Sequence, residues 1–157
     1  MTKSKPGLYL SGAIEASKDP NSWREKLYKA LYRKYKVIIP VAKTKCPFDK
    51  QDPEFAEWIM TKFILPDMID VTTSRYFFAK IDKAVFKGAG TISEITTAAW
   101  MGKDMIILLD KIKLSDIPEW TVGCFANATF VDSIDEAIEV YKEKAKERIM
   151  KEKEQEE

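Results

Sequence analysis

The stretch RYFFAKIDKAVFKGAGTISEITTAAWMGKDMIILLD, Arg75 to Asp110, decides how this chain must fold. It opens on RYFFAKI, 75–81, whose aromatic and apolar side chains read as a strand. It closes on DMIILLD, 104–110, a second continuous apolar run of strand length. Between them a glycine-rich turn leads into an apolar helix, predicted from about Thr91 to Met101. Two fully apolar strands joined through a helix lie parallel, with both faces of their sheet covered.

The flanking sequence repeats the pattern. GLYLSG, 7–12, is a short, glycine-bounded buried strand, and a helix is predicted from about Asn21 to Tyr35, with Asp19 or Asn21 as its cap. KVIIPV, 36–41, reads as the next strand, its proline marking either an edge strand or a strand end. A polar loop, 42–52, precedes a second helix opening at Pro53, which Pro66 should kink or break before DMIDVTTS continues. Past Asp110 an irregular stretch, 111–127, leads to a short strand, ATFVD, 128–132. Asp132 or Ser133 then caps a final helix striped by Ile134, Ala137, Ile138 and Tyr141. The expectation is an α/β, doubly wound (flavodoxin- or Rossmann-like) five-stranded parallel sheet with helices on both faces. One domain should span 1–141, with 142–157 a charged helical extension that frays. Ligands of such sheets sit at the carboxyl ends of the strands, where strand order reverses. SGAIE, IDKAVF and GAGTISE converge there.

Composition narrows the chemistry. The 157 residues carry 26 basic and 25 acidic side chains, a balance that speaks against nucleic-acid binding by bulk charge. A small neutral ligand or a partner subunit is expected instead. No apolar run reaches the ~20 residues of a membrane span, and the start lacks a signal-peptide pattern. Cys46 and Cys124 form no CxxC pair, which points to a reduced, cytoplasmic protein. The absence of histidine excludes His-based triads, His zinc sites and imidazole acid–base catalysis. Chemistry must come from carboxylates, hydroxyls, lysines or backbone.

Glu94 is the residue in question. Thr91-x-x-Glu94 has the spacing of a capping box, in which the glutamate reaches back to tie down its own helix. A phosphate cradle fits worse, because Gly102-Lys103 lies at the far end of the helix and Glu94 would repel a phosphate. A third reading gives the carboxylate a partner of opposite sign. Held ionised by the helix dipole and spare N–H groups, it would face the positive charge of a cleaving glycosidic bond, or attack the anomeric carbon.

LYLSGAIE near the start, the aspartate-bearing helix end before the third strand, and GAGTISEITTAAWMGK together resemble the nucleoside 2-deoxyribosyltransferase family, which includes nucleoside-monophosphate N-glycosidases. The resemblance runs in order and spacing from residue 8 to about 110, and GT-x-x-E followed by small residues and Gly-Lys is its most specific part. It implies an enzyme that cleaves the N-glycosidic bond of 2′-deoxyribonucleosides through a covalent deoxyribosyl-glutamate, passing the sugar to another base or to water. Glu94 matches the family's nucleophile, Tyr9 the tyrosine that positions it, and Asp67 the aspartate that handles the base. Ser11 and Gly12 match the turn lining the sugar site, Asp82 a polar residue near the sugar, and Gly88, Gly90 and Thr91 the loop beneath it. Taken alone, Tyr9 reads as a core aromatic, Asp67 as a solvated helix residue and Asp82 as a turn aspartate. The resemblance also implies a homodimer or higher homo-oligomer in which a neighbour's polar residue, matched by Asn127, completes each site. Its partners would be a nucleoside or nucleotide and a free nucleobase, with no metal or cofactor.

The sequence departs from the family at three places. Ser74-Arg75 replaces a common Ser-Asp, Gly88 stands at a position acidic in some transferases, and Glu15 stands where the monophosphate glycosidases tend to be basic. Glu15 favours nucleosides over nucleotides. The alternatives are a nucleotide-specific N-glycosidase or phosphoribohydrolase, and a non-catalytic nucleotide-binding module of the same fold. Trp23, Trp58 and Trp100 read as core or interface residues, and Trp120 as a packing residue or a lid over the site.

Overall fold

A computed structural model describes residues 4–40 and 44–156. Strands β1 (Gly7–Gly12), β2 (Lys36–Ile38), β3 (Tyr76–Ile81), β4 (Asp104–Leu109) and β5 (Thr129–Val131) form one sheet in the order β2-β1-β3-β4-β5, every neighbouring pair parallel. The chain moves from β1 to β2 at one edge, then returns to place β3 on the other side of β1. The order therefore reverses between β1 and β3, and the connections leaving these two strands diverge and open a crevice.

Both faces of the sheet are apolar because both are covered. Helices α1 (Ser22–Leu31) and α6 (Ile134–Glu154) lie on one face, where Leu8, Leu10, Phe78 and Ile106 meet Leu27, Leu31, Ala137 and Tyr141. Helices α3 (Leu65–Thr73), α4 (Gly90–Trp100) and α5 (Glu119–Gly123) lie on the other, where Tyr9, Phe77, Ala79 and Ile107 meet Val71, Ile95 and Ala98. Each fully buried leucine or isoleucine contributes about 1.5–3 kcal/mol.

Several elements differ from their sequence reading. Helix α1 stops at Leu31 instead of Tyr35, and Asp19, not Asn21, receives the Ser22 N–H at 3.1 Å. Strand β2 is an edge strand as expected but ends at Ile38; Val41 and Ala42 lie outside the described residues. Pro66 does not break its helix. Helix α2 (Pro53–Ile59) passes through a π-helical turn, Met60–Ile64, directly into α3, the Leu65 N–H bonding back to the Met60 carbonyl. The wider turn accommodates the proline ring, which would strike the carbonyl four residues back in a regular helix. The stretch 111–127 contains α5 and a short 3-10 turn, Leu114–Asp116.

The C-terminal segment packs where fraying was expected. Ser133 caps α6 by accepting the Glu136 N–H at 3.0 Å, and the helix continues to Glu154. Ala145 is buried, Lys144 pairs with Asp104 at 2.9 Å, and Arg148 donates to the Lys34 carbonyl at 3.1 Å while lying over the Tyr35 ring. Tyr35, Tyr76 and Tyr141 pack edge to face beneath it, and the Tyr35 hydroxyl donates to the Tyr141 carbonyl at 2.6 Å. The sequence pattern missed this because small and amphipathic side chains carry the contact: an alanine and the stems of Lys144 and Arg148.

Replacing Ala145 by Asp would bury a carboxylate against that face. We expect a loss of roughly 2–4 kcal/mol in urea unfolding, against less than about 0.5 kcal/mol for Lys146→Asp on the exposed side. Equal effects at the two positions would show that the segment does not pack.

Candidate active site

The pleat of β1 sends alternate side chains to opposite faces. Leu8 and Leu10 enter the layer of α1 and α6; Tyr9 and Ser11, two residues apart, face α3 and α4. On α4, Glu94 lies one residue before Ile95 and four before Ala98, so it belongs to the helix face turned toward the sheet. The carboxylate thus meets two hydroxyls. Tyr9 Oη donates to Glu94 Oε1 at 3.0 Å, and Ser11 Oγ donates to Oε2 in a shorter bond. Glu94 is only 7% exposed.

This geometry corrects the capping-box reading. Helix α4 begins at Gly90, its cap position is Ala89 with no side-chain cap, and Thr91 is buried inside the first turn. The Glu94 carboxylate is occupied by β1, not by its own helix. Nor is it held ionised by spare backbone N–H groups, because it sits a turn inside α4. Burial is the dominant influence and pushes its pKa from 4.5 up to about 7. Hydrogen bonds from Ser11 and Tyr9 and the charge of Arg24 act against burial, while Asp67 acts with it. Burial, and then Glu94 itself, push the Tyr9 phenol well above its ordinary range, so Tyr9 remains a proton donor to the carboxylate.

Beside Glu94 a cavity of about 110 Å³ opens at the crevice between the carboxyl ends of β1 and β3. Gly12, Glu15, Asp67, Lys87, Gly88, Gly90, Thr91 and Glu94 are among its walls. A Cβ on Gly12 would stand 2.9 Å from the Trp23 ring, so only glycine fits there. A Cβ on Gly88 or Gly90 would meet no atom within 4 Å; these glycines leave open space at the mouth instead of allowing close packing.

The other residues singled out by sequence lie elsewhere. Asp82 caps the 3-10 turn Lys83–Lys87, accepting the Ala84 and Val85 N–H groups, and pairs with Lys80 at 3.3 Å. It fixes the segment that supplies Ala84 and Val85 to the cavity but is not itself a wall residue. Asn127 is exposed in the turn before β5 and lines no part of this chain's cavity. Ser74 and Arg75 precede β3, at the amino ends of the strands and about 20 Å along the sheet from the cavity. The departure at Arg75 therefore does not touch the site. Trp23 is buried, Trp100 is exposed, and Trp58 packs edge to face on Phe63. Exposed Trp120 donates to Thr96 Oγ1 at 3.3 Å and does not line the cavity. Among the described residues no group of three or more Cys, Asp or Glu side chains is placed to hold a metal ion, and no helix is long and apolar enough to cross a membrane.

Sequence reasoning missed Arg24. It is fully buried, lies against the Trp23 ring at 4.3 Å and donates to the carbonyls of Leu10, Gly12 and Pro20. Burial lowers its pKa to about 10, so it is a cation at neutral pH. The available signal was an arginine directly after a core tryptophan, on the helix face that must be apolar.

No protein-family model and no curated protein matches the chain. Among solved structures it is similar to the CMP N-glycosidase BcmB of Clostridium botulinum, with a TM-score of 0.55 and 19% identity over 87% of this chain and 98% of that one. At that identity the likeness shows the fold, a doubly wound α/β sheet of five parallel strands.

The buried carboxylate has a stability signature. Below pH 4.5 Glu94 is protonated whether folded or unfolded, and its burial carries no charge penalty. Between pH 4.5 and about 7 the unfolded chain releases this proton while the folded one keeps it, so stability falls. Above about pH 7 the loss levels off at roughly 3 kcal/mol. The unfolding free energy of wild type relative to Glu94→Gln should drop by that amount between about pH 4 and 8; a pH-independent difference would contradict it.

Proposed function

We propose that this protein cleaves the N-glycosidic bond of 2′-deoxyribonucleosides and passes the deoxyribosyl group to a second base or to water. One observation carries the reading: Glu94 is gripped at both carboxylate oxygens by Tyr9 and Ser11 and forms a wall of a cavity at the switch point of the sheet. A carboxylate fixed in this way is oriented before any substrate arrives, which removes the entropy of aiming it. Ionised and dry, it suits an anomeric carbon that becomes positive as the base departs.

In this reading a Glu94 oxygen forms a bond to C1′ while the C1′–N bond breaks, and the electron pair leaves with the base. Asp67, on the same cavity, supplies the proton that the departing base needs. A second base or a water then attacks C1′, gives its proton to the Asp67 carboxylate and releases Glu94 with its electron pair. Tyr9 and Ser11 hold the leaving carboxylate through both steps. A nucleoside is favoured over a nucleotide by the charges on the walls, where Glu15 and Glu94 stand against Lys87. A phosphate dianion there would meet net repulsion. The second reading, a nucleoside 5′-monophosphate N-glycosidase, draws on the fold shared with the CMP N-glycosidase and on Lys87 at the cavity.

The test is base release from deoxynucleosides, ribonucleosides and their 5′-monophosphates, with and without an acceptor base. The expected result is release from deoxynucleosides, rising with pH through about 7 as Glu94 ionises. Glu94→Gln should lower kcat at least ~1,000-fold with the fold intact, and Tyr9→Phe about 10- to 100-fold. Undiminished base release by Glu94→Gln would remove the nucleophile from this reading. Preference for the monophosphates would replace the first reading by the second.

A further inference from the structure

Strand β2 is shorter than β1, and this leaves a defect in the sheet. Pairing between them runs only from Gly7↔Lys36 to Tyr9↔Ile38. The carbonyls of β1 alternate in direction: Pro6 O accepts the Lys36 N–H on the β2 side, and Gly7 O accepts the Arg75 N–H on the β3 side. Leu10 and Gly12 share the parity of Pro6, so their carbonyls point to the β2 side beyond the place where β2 ends. Arg24 fills this gap from α1. Its Nε donates to Leu10 O at 3.3 Å, its Nη2 donates to Gly12 O at 2.8 Å, and its Nη1 donates to Pro20 O at the far end of the loop. The residue between the two β1 carbonyls is Ser11, whose hydroxyl holds Glu94.

We infer that Arg24 is a positioning residue of the site: it stands in for the missing strand, fixes the backbone on both sides of Ser11 and lends its positive charge to the Glu94 carboxylate. The chain of contact is short. The guanidinium sets Leu10 and Gly12, these set the Ser11 hydroxyl, and that hydroxyl sets one oxygen of the carboxylate. The same grip holds the two ends of the loop 12–20, whose first half walls the cavity through Gly12, Ala13, Ile14, Glu15 and Ala16. An arginine suits this place better than a lysine, because a planar fork satisfies separated carbonyls and keeps its charge when buried. Around Glu94 the other groups in play are Tyr9 and Ser11 from β1, Asp67 from α3, and Glu15 and Lys87 at the cavity walls. Replacing Arg24 leaves the chemical identity of each of them unchanged, and only Ser11 loses the backing that fixes its place.

The role deepens the proposed function and is tested apart from it. Protein labelled with 13C at the glutamate carboxyl carbons is titrated by NMR, the Glu94 signal being identified by its loss in Glu94→Gln. In Arg24→Lys the charge stays but the fork is lost, Ser11 loosens, and the Glu94 midpoint moves to higher pH. In Arg24→Gln the charge is lost too, and the midpoint moves further, roughly half a pH unit or more above wild type. The pH dependence of base release should move the same way. A midpoint in Arg24→Lys equal to that of wild type overturns the inference, and this variant decides alone if Arg24→Gln does not fold. Absence of base release by wild type would tell against the proposed reaction while leaving the titration able to decide the role of Arg24.

Discussion

The site depends on one arrangement: two hydroxyls on alternate positions of a central strand gripping one carboxylate on the helix packed above it. A period of two on β1 puts Tyr9 and Ser11 on the same face. A buried glutamate is costly unless its oxygens are satisfied, and here each oxygen has a donor. The balance is deliberately incomplete in physical terms. The hydroxyls and Arg24 favour the charge, burial and Asp67 oppose it, and the carboxylate titrates near neutrality. A salt bridge in direct contact would have held Glu94 far below that range.

The fold was legible because its strands are continuous apolar runs, and such runs separated by helices leave few alternatives to a parallel sheet. What escaped was set by features without a periodic signal. The π turn before Pro66 exists because the chain finds a wider turn less costly than a break, which no local propensity reveals. The C-terminal half of α6 reads as a charged tail, yet an alanine and two long side chains are enough to seat it. Helix α1 ends a turn early, and Tyr35 beyond it packs in the aromatic cluster under α6.

The site was legible in a different way. Spacing alone made Glu94 a helix cap, and the sequence resemblance pointed it at a substrate. The geometry turned the carboxylate away from its own helix but toward β1. Tyr9, Ser11, Gly12, Asp67, Gly88, Gly90 and Thr91 gather around it, whereas Asp82 holds the backbone behind the wall and Asn127 stays outside. Arg24 could not be found from spacing, because its partners are main-chain carbonyls exposed by the shortness of β2. That is a property of registers between strands, and registers appear only once the sheet is assembled.

The bare backbone at Gly88 and Gly90 bears on how such a protein adapts. Both positions border empty space and neither adopts a left-handed conformation, so a Cβ at either one meets no clash and no backbone strain. The rim is therefore an adjustable aperture, separate from the machinery beneath it. Its width and polarity can be rewritten one residue at a time while the sheet, the helix and the gripped carboxylate stay as they are. What the cavity admits can drift in a lineage at little expense to folding.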